Sequence, residues 1–398
     1  MIGSIDFEKY RIFSGKQHLR LAPLTVVFGR NNTGKSAVLR LPMLIRSAMD
    51  CGTIDVFEKK ESSGVVLCDE YRDVVYGKGN HAVGLHVVDE SGMAEVSVKF
   101  IAENVGGVSH SRIEDITVRN GEEVMTASVD DNDMLVKGNG ETVAFNGLTP
   151  DSEPEKGMVK SAFRKIGMAI DYIGPVRWQP SRFIELDAHP DGSSGIDGKT
   201  AYTYLVNDSQ NALHPLLDKV SEWYKNNFRG WRVEVDNSRM PVYSIELKND
   251  TLPSNNILDM GFGIQQSLPI VVAACRRYDE PTLVIIEEPE THLNSSAHAE
   301  IGQLLAESAM ADSDKRFLVE THSLNLMMRL RTLISKGELK KEDVALYYVE
   351  YDERTSASHL REVIVRENGE VENWPGNMFK ETLTEALALR NAQMDGKV

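Results

Sequence analysis

The run Gly29-Arg30-Asn31-Asn32-Thr33-Gly34-Lys35-Ser36 constrains this chain more than any other feature. It has the spacing G-x4-G-K-[ST], follows the apolar run Leu24-Thr25-Val26-Val27-Phe28, and leads into helical periodicity. A strand that turns through glycines into a helix N-terminus points successive backbone N–H groups at one place, where the helix dipole favours an anion. Gly29, Arg30, Asn31, Asn32, Thr33, Gly34, Lys35, Ser36 and Ala37 are therefore candidate phosphate contacts. Lys35 is suited to neutralising the β- and γ-phosphates and Ser36 to ligating Mg2+, so ATP and Mg2+ are the expected cofactors.

A second signal stands far downstream. Leu283-Val284-Ile285-Ile286 runs straight into Glu287-Glu288-Pro289-Glu290, the pattern of a buried parallel strand that delivers carboxylates at its C-terminal end. Glu287 takes the position that holds Mg2+, and Glu288 is placed to polarise the water that attacks the γ-phosphate. Phe317-Leu318-Val319-Glu320-Thr321-His322 reads as another buried strand, one strand–helix–strand unit further on. His322 at its end is a candidate γ-phosphate contact, which makes Lys35, Glu288 and His322 the candidate catalytic residues. Gly261-Phe262-Gly263-Ile264-Gln265-Gln266 precedes an apolar helix whose N-terminus suits a phosphate. His292 has no partner motif and is not read as a metal ligand.

Periodicity divides the rest. Residues 1–52 read as the N-terminal part of the core with the glycine loop, and 53–150 as an antiparallel β insertion of short alternating segments such as Val96-Ser97-Val98-Lys99-Phe100. Residues 151–190 read as a linker with a helix over 158–170, a strand and a loop. Residues 191–255 read as a small helical lid with strands over 231–235 and 242–247, and 256–398 as the C-terminal part of the core. Helices over 263–276, 295–309 and 324–334 alternate with strands over 283–286 and 317–319, which predicts a parallel sheet with crossovers. No sustained heptad is present, so a long coiled-coil arm is not expected.

Composition narrows the function. With 398 residues and 41% hydrophobic content, the chain can bury large cores. Its 44 basic and 60 acidic residues give a net charge of −16, which opposes a broad nucleic-acid face. Cys51, Cys68 and Cys275 have neither disulfide-framework nor zinc spacing. No run is long enough to span a membrane and the N-terminus lacks a leader pattern, so a cytoplasmic protein with no membrane partner is expected.

Taken in order, GRNNTGKS, GFGIQQ, VIIEEPETHL and ETHS resemble the ATPase domain shared by SMC, RecF and the OLD (overcoming lysogenisation defect) family, and EEPETHL with THS resembles the OLD-like branch. The resemblance implies an α/β P-loop NTPase fold, an ABC-ATPase-like head with a mixed central sheet. It further implies that two heads close head-to-tail over two nucleotides, as a homodimer or higher homo-oligomer. Gly263, with Gln265 or Gln266 in place of the usual signature serine, then contacts the partner head's nucleotide. Adenine contacts are implied for the segment holding Tyr10, Arg11 and Phe13, and a metal or γ-phosphate sensor for the loop holding Arg177 and Gln179. No TOPRIM-like acidic cluster follows His322, so the implied role is an ATP-driven switch or scaffold for a separate effector, a nuclease or toxin, in bacterial anti-phage defence. A DNA-repair ATPase that binds DNA directly is the alternative, and the charge disfavours it.

Overall fold

The computed structural model describes residues 1–60, 64–131, 134–186, 192–376 and 381–394; the first residue of the predicted lid segment, Asp191, lies outside them. Six strands form the central sheet, in the order Ala169–Ile173, Thr282–Glu287, Lys315–Thr321, Leu24–Gly29, Val344–Asp352 and Ala357–Val363. The first five run parallel and the last antiparallel. Parallel neighbours need crossovers, and the helices Ser295–Ala311 and Leu324–Ser335 supply two of them. The fold is thus the expected α/β class with a mixed sheet.

Both faces of this sheet are covered, which is why its strands read as unbroken apolar runs. Alternate residues separate into two cores. Val27, Leu283, Ile285, Leu318 and Tyr347 pack on one side with the helices Lys35–Asp50 and Glu155–Ile166. Val26, Phe28, Val284, Ile286, Phe317 and Val319 pack on the other, under the lid helices Lys199–Ser209 and Pro215–Asn227 and the helix Phe262–Cys275. Pro215 opens its helix at the first position, where its missing N–H costs nothing.

An antiparallel sheet closes the first core. Its order is Gln17–Arg20, Ile2–Glu8, Val83–Asp89, Ala94–Val105, Val108–Asn120, Glu123–Val129 and Leu135–Lys137. The inserted strands therefore share a sheet with the first two strands of the chain. The helix expected over 158–170 covers Glu155–Ile166 instead. Gly167 turns extended, and Ala169 donates its N–H to the Pro281 carbonyl and starts the edge strand. Among the described residues no helix is long and apolar enough to cross a membrane.

One buried cation fastens the two sheets. Arg316, on a central strand, donates to the carbonyls of Ile2 at 3.1 Å and Leu21 at 2.9 Å and pairs with Glu90 at 2.6 Å. Arg316→Met fills the space but orphans both carbonyls, each costing about 1–3 kcal/mol. The expected outcome is a destabilisation of about 2–4 kcal/mol, read as a lower urea midpoint; an unchanged midpoint would deny the guanidinium any structural role.

Candidate functional site

The glycine loop lies at the C-terminal edge of the central sheet. Gly34 caps the helix Lys35–Asp50 at φ 102° with no side-chain cap, and a Cβ there would lie 2.6 Å from Ile12 Cγ2. Only glycine fits, and the first two N–H groups of the helix, those of Lys35 and Ser36, lack intrahelical acceptors. Arg30, Asn31 and Asn32 are exposed, whereas Thr33 and Lys35 are buried. Thr33 Oγ1 and Lys35 Nζ both donate to the Arg30 carbonyl at 2.9 Å, and the Ala37 N–H turns inward to the Gly34 carbonyl at 3.1 Å. The C-terminal hairpin braces the loop: Ser358 donates its hydroxyl to the Thr33 carbonyl at 2.6 Å and its N–H to the Ile12 carbonyl at 2.9 Å.

Three carboxylates reach this edge. Glu287 and Glu320 are cross-strand partners in register, both buried. Ser36 Oγ donates to Glu320 Oε2 at 2.8 Å, and Lys35 Nζ stands 3.5 Å from Glu320 Oε1. Glu287, the residue expected to hold Mg2+, makes no hydrogen-bond contact with Ser36. The strand carrying Glu320 adjoins the loop's own strand, whereas that of Glu287 lies one strand further out. Glu287 Oε1 instead accepts the Tyr172 hydroxyl at 2.6 Å. Burial raises the Glu287 pKa; the Tyr172 hydrogen bond opposes the shift, and the Glu320 charge adds to it.

Glu288 leaves the strand at φ 47°, a left-handed conformation that is uncommon for a residue with a side chain. Its N–H donates to the Glu320 carbonyl at 2.8 Å, and Oε2 accepts the Thr291 hydroxyl at 3.1 Å. Oε1 lies 3.9 Å from His322 Nε2. Glu290 Oε1 accepts the Thr321 hydroxyl at 2.8 Å and the His322 N–H at 2.6 Å, tying the two strand ends together. Behind them Arg177 is buried, its Nη2 donating to the carbonyls of Glu287 at 2.6 Å and Glu288 at 2.9 Å. Burial pushes its pKa down to about 10. The guanidinium thus acts on the backbone of the acidic pair rather than as a sensor.

Several other expected contacts are not formed by these residues. Tyr10 and Phe13 are fully buried and pack edge-on against Phe7, so neither ring offers a face to adenine. Arg11 donates to the Leu67 carbonyl and the Tyr10 hydroxyl. Gln179 is exposed and forms no hydrogen bond among the described residues. Gln265 and Gln266 are buried, contrary to a role at a partner head. Gln265 Nε2 donates to the carbonyls of Leu258 at 3.1 Å and Met260 at 3.0 Å, and Gln266 Nε2 to that of Arg177 at 3.4 Å. Gly263 is required by its own chain, since a Cβ would lie 2.5 Å from the His292 carbonyl. What this helix start exposes is Gly261 and Phe262, whose ring meets that of His292 at 4.6 Å.

Glu320 and Tyr172 were not singled out from the sequence. Glu320 was detectable, because it shares the strand face of Leu318 and ends a wholly buried strand with a charge. The residues fit Mg2+·nucleotide: an uncapped glycine-cradled helix start, a buried lysine, and a serine hydroxyl already on a carboxylate.

A family profile described as "AAA domain, putative AbiEii toxin, Type IV TA system" matches residues 161–328, and one described as "Protein of unknown function (DUF3696)" matches 339–389. No curated protein sequence matches the chain. Among solved structures, the SMC head domain from Thermotoga maritima is 12% identical, with TM-score 0.43 over 92% of this chain and 99% of that one. An SMC head bound to the C-terminal winged-helix domain of ScpA is 12% identical, with TM-score 0.46 over 91% and 97%. An SMC head with an extended coiled coil, bound to the C-terminal domain of ScpA derived from Pyrococcus furiosus, is 11% identical, with TM-score 0.45 over 98% and 99%. The AAA match covers the acidic strand and His322, and the glycine loop lies outside it.

Arg177→Met should lower turnover by about 10- to 100-fold, as loss of an orienting partner does, and leave nucleotide affinity nearly unchanged. Steady-state ATPase rates beside calorimetric binding check this. An equal loss in both would mean that the guanidinium supports the whole loop rather than the acidic turn.

Proposed function

We propose that this chain binds ATP·Mg2+ on the loop 29–36, hydrolyses it with Glu288 as general base, and works as a head-to-tail dimer or higher homo-oligomer that switches a separate effector. The observation that carries the reading is the convergence of Lys35, Ser36, Glu287, Glu288, Glu320 and His322 on one sheet edge. A bound Mg2+ would supply neutralisation of the phosphate charge. Ser36 and Glu320 are the residues to hold it, with Glu287 behind them. Lys35 swings from the Arg30 carbonyl to the phosphates. Thr291 holds one oxygen of Glu288 and leaves Oε1 to take the proton of the attacking water, and His322, whose Nε2 is 3.9 Å from that oxygen, is the residue to contact the γ-phosphate.

The dimeric part rests on the exposed start of the helix Phe262–Cys275, where backbone N–H groups and Phe262 are open to a second head. The buried Gln265 and Gln266 take no part in it. The description of the AAA profile, which names a toxin of a toxin–antitoxin system, supports a role in bacterial anti-phage defence with a nuclease or toxin as effector. The net charge of −16 weighs against a DNA-binding head.

Lys35→Ala should abolish ATP binding, because the β- and γ-phosphate charge is then uncompensated in the cradle; unchanged affinity by calorimetry would sink the assignment of the loop. Glu288→Gln should keep binding and lose about 10²- to 10⁴-fold in hydrolysis, the usual worth of a general base. It should also accumulate an ATP-dependent closed assembly, visible by light scattering. Full activity in this variant would refute the base, and lost activity with no change in assembly would spare the base and refute the closing heads.

A further inference from the structure

We propose that Glu288, Glu320 and His322 form a second divalent-cation site, for an ion of the manganese–zinc class, that loads when nucleotide is absent. It goes beyond the ATPase reading and rests on it only for the role of the neighbouring Mg2+ position. One oxygen of each glutamate and one imidazole nitrogen of His322 lie within 4.8 Å of one another. Ligand bonds of about 2.1 Å place donor atoms about 3–4 Å apart around one ion, so the three converge with little movement. Glu288 Oε1 and His322 Nε2 are already 3.9 Å apart.

Each ligand is held from behind, as ligands of a built site are. Thr291 fixes the other oxygen of Glu288, Ser36 fixes Oε2 of Glu320, and Glu290 grips the backbone N–H of His322. Glu288 and Glu320 are also joined through the backbone, N–H to carbonyl at 2.8 Å. Glu287 is excluded from the set because Tyr172 holds its Oε1.

Charge favours an ion there. Three carboxylates crowd this edge, and among the described residues Lys35 is the one ammonium in ion-pair range of them, at 3.5 Å from Glu320. Lys35 is shared with the Arg30 carbonyl, and the buried Arg177, whose charge also acts on Glu287, Glu288 and Glu290, hydrogen-bonds backbone carbonyls and no carboxylate oxygen. The donor set selects the ion. Mg2+ prefers oxygen ligands and water, whereas one imidazole with two carboxylates suits Mn2+ or Zn2+ and leaves positions open for water. An ion on Glu288 Oε1 and a water about to give that oxygen its proton exclude each other. The second ion therefore belongs to the resting chain.

The test is titration of the nucleotide-free full chain with Mn2+, followed by loss of the free-ion paramagnetic resonance signal. One submillimolar Mn2+ per chain is expected, displaced by Zn2+ and retained in Lys35→Ala. Glu320→Gln and His322→Ala should each weaken it by about 10- to 100-fold or more. Pulsed measurements on the wild-type chain should show nitrogen modulation from one imidazole, a readout that needs no variant to fold. Absence of submillimolar binding, binding indifferent to Glu320→Gln and His322→Ala, or a bound ion without nitrogen modulation would each overturn the site. Binding of a fluorescent ATP analogue to the same preparations reports separately on the P-loop, so failure of one reading is distinguishable from failure of the other.

Discussion

The contact of Glu320 with Ser36 and Lys35 joins the two ends of the chain's chemistry. The hydroxyl–carboxylate bond links residues 284 positions apart, and it exists because the strand Lys315–Thr321 and the glycine-loop strand are direct neighbours with Glu320 opposite Val27. From that contact the remaining positions follow. Glu287 is level with Glu320 on the next strand, Glu288 turns out one residue later, and His322 follows Glu320 at the end of its strand. A shift of one residue in this register would send each carboxylate to the opposite face of the sheet, among the lid helices.

The two cores explain why that register holds. Leu318 and Ile285 lie in the core under the antiparallel sheet, whereas Val319 and Ile286 lie in the core under the lid, so slippage would bury charge on one side or expose it on the other. Buried carboxylates are expensive unless hydrogen-bonded. Here Tyr172 and Ser36 each meet one of them, and Arg177 secures the backbone that carries the acidic pair.

The elements that dominate the fold were legible because they obey local rules. The glycine loop, the two unbroken apolar strands and the helices after them are set by spacing and periodicity. The side-chain partnerships were not, because they depend on which strand lies beside which. Glu287 and Glu320 both follow buried apolar runs, and only the strand order decides which one meets Ser36. Gln265 and Gln266 follow a glycine-containing helix start, a position that suits an outward contact. The neighbouring Gly263 lets the helix start lie close to the His292 carbonyl, and both amides donate to backbone carbonyls inside the fold. Tyr10 and Phe13 stand just before the loop in sequence, yet Phe7 and the antiparallel sheet claim both rings.

The brace between Ser358 and Thr33 has a consequence in time. The hydroxyl that braces the loop is made 325 residues after Thr33, and the strand Val344–Asp352 beside the loop shortly before it. At about 5–20 residues per second the delay is on the order of half a minute. For most of that interval the nascent chain carries a glycine loop without its flanking strands, and the three carboxylates arrive only in its last part. The loop is therefore a poor nucleotide trap until the hairpin that braces it has been made.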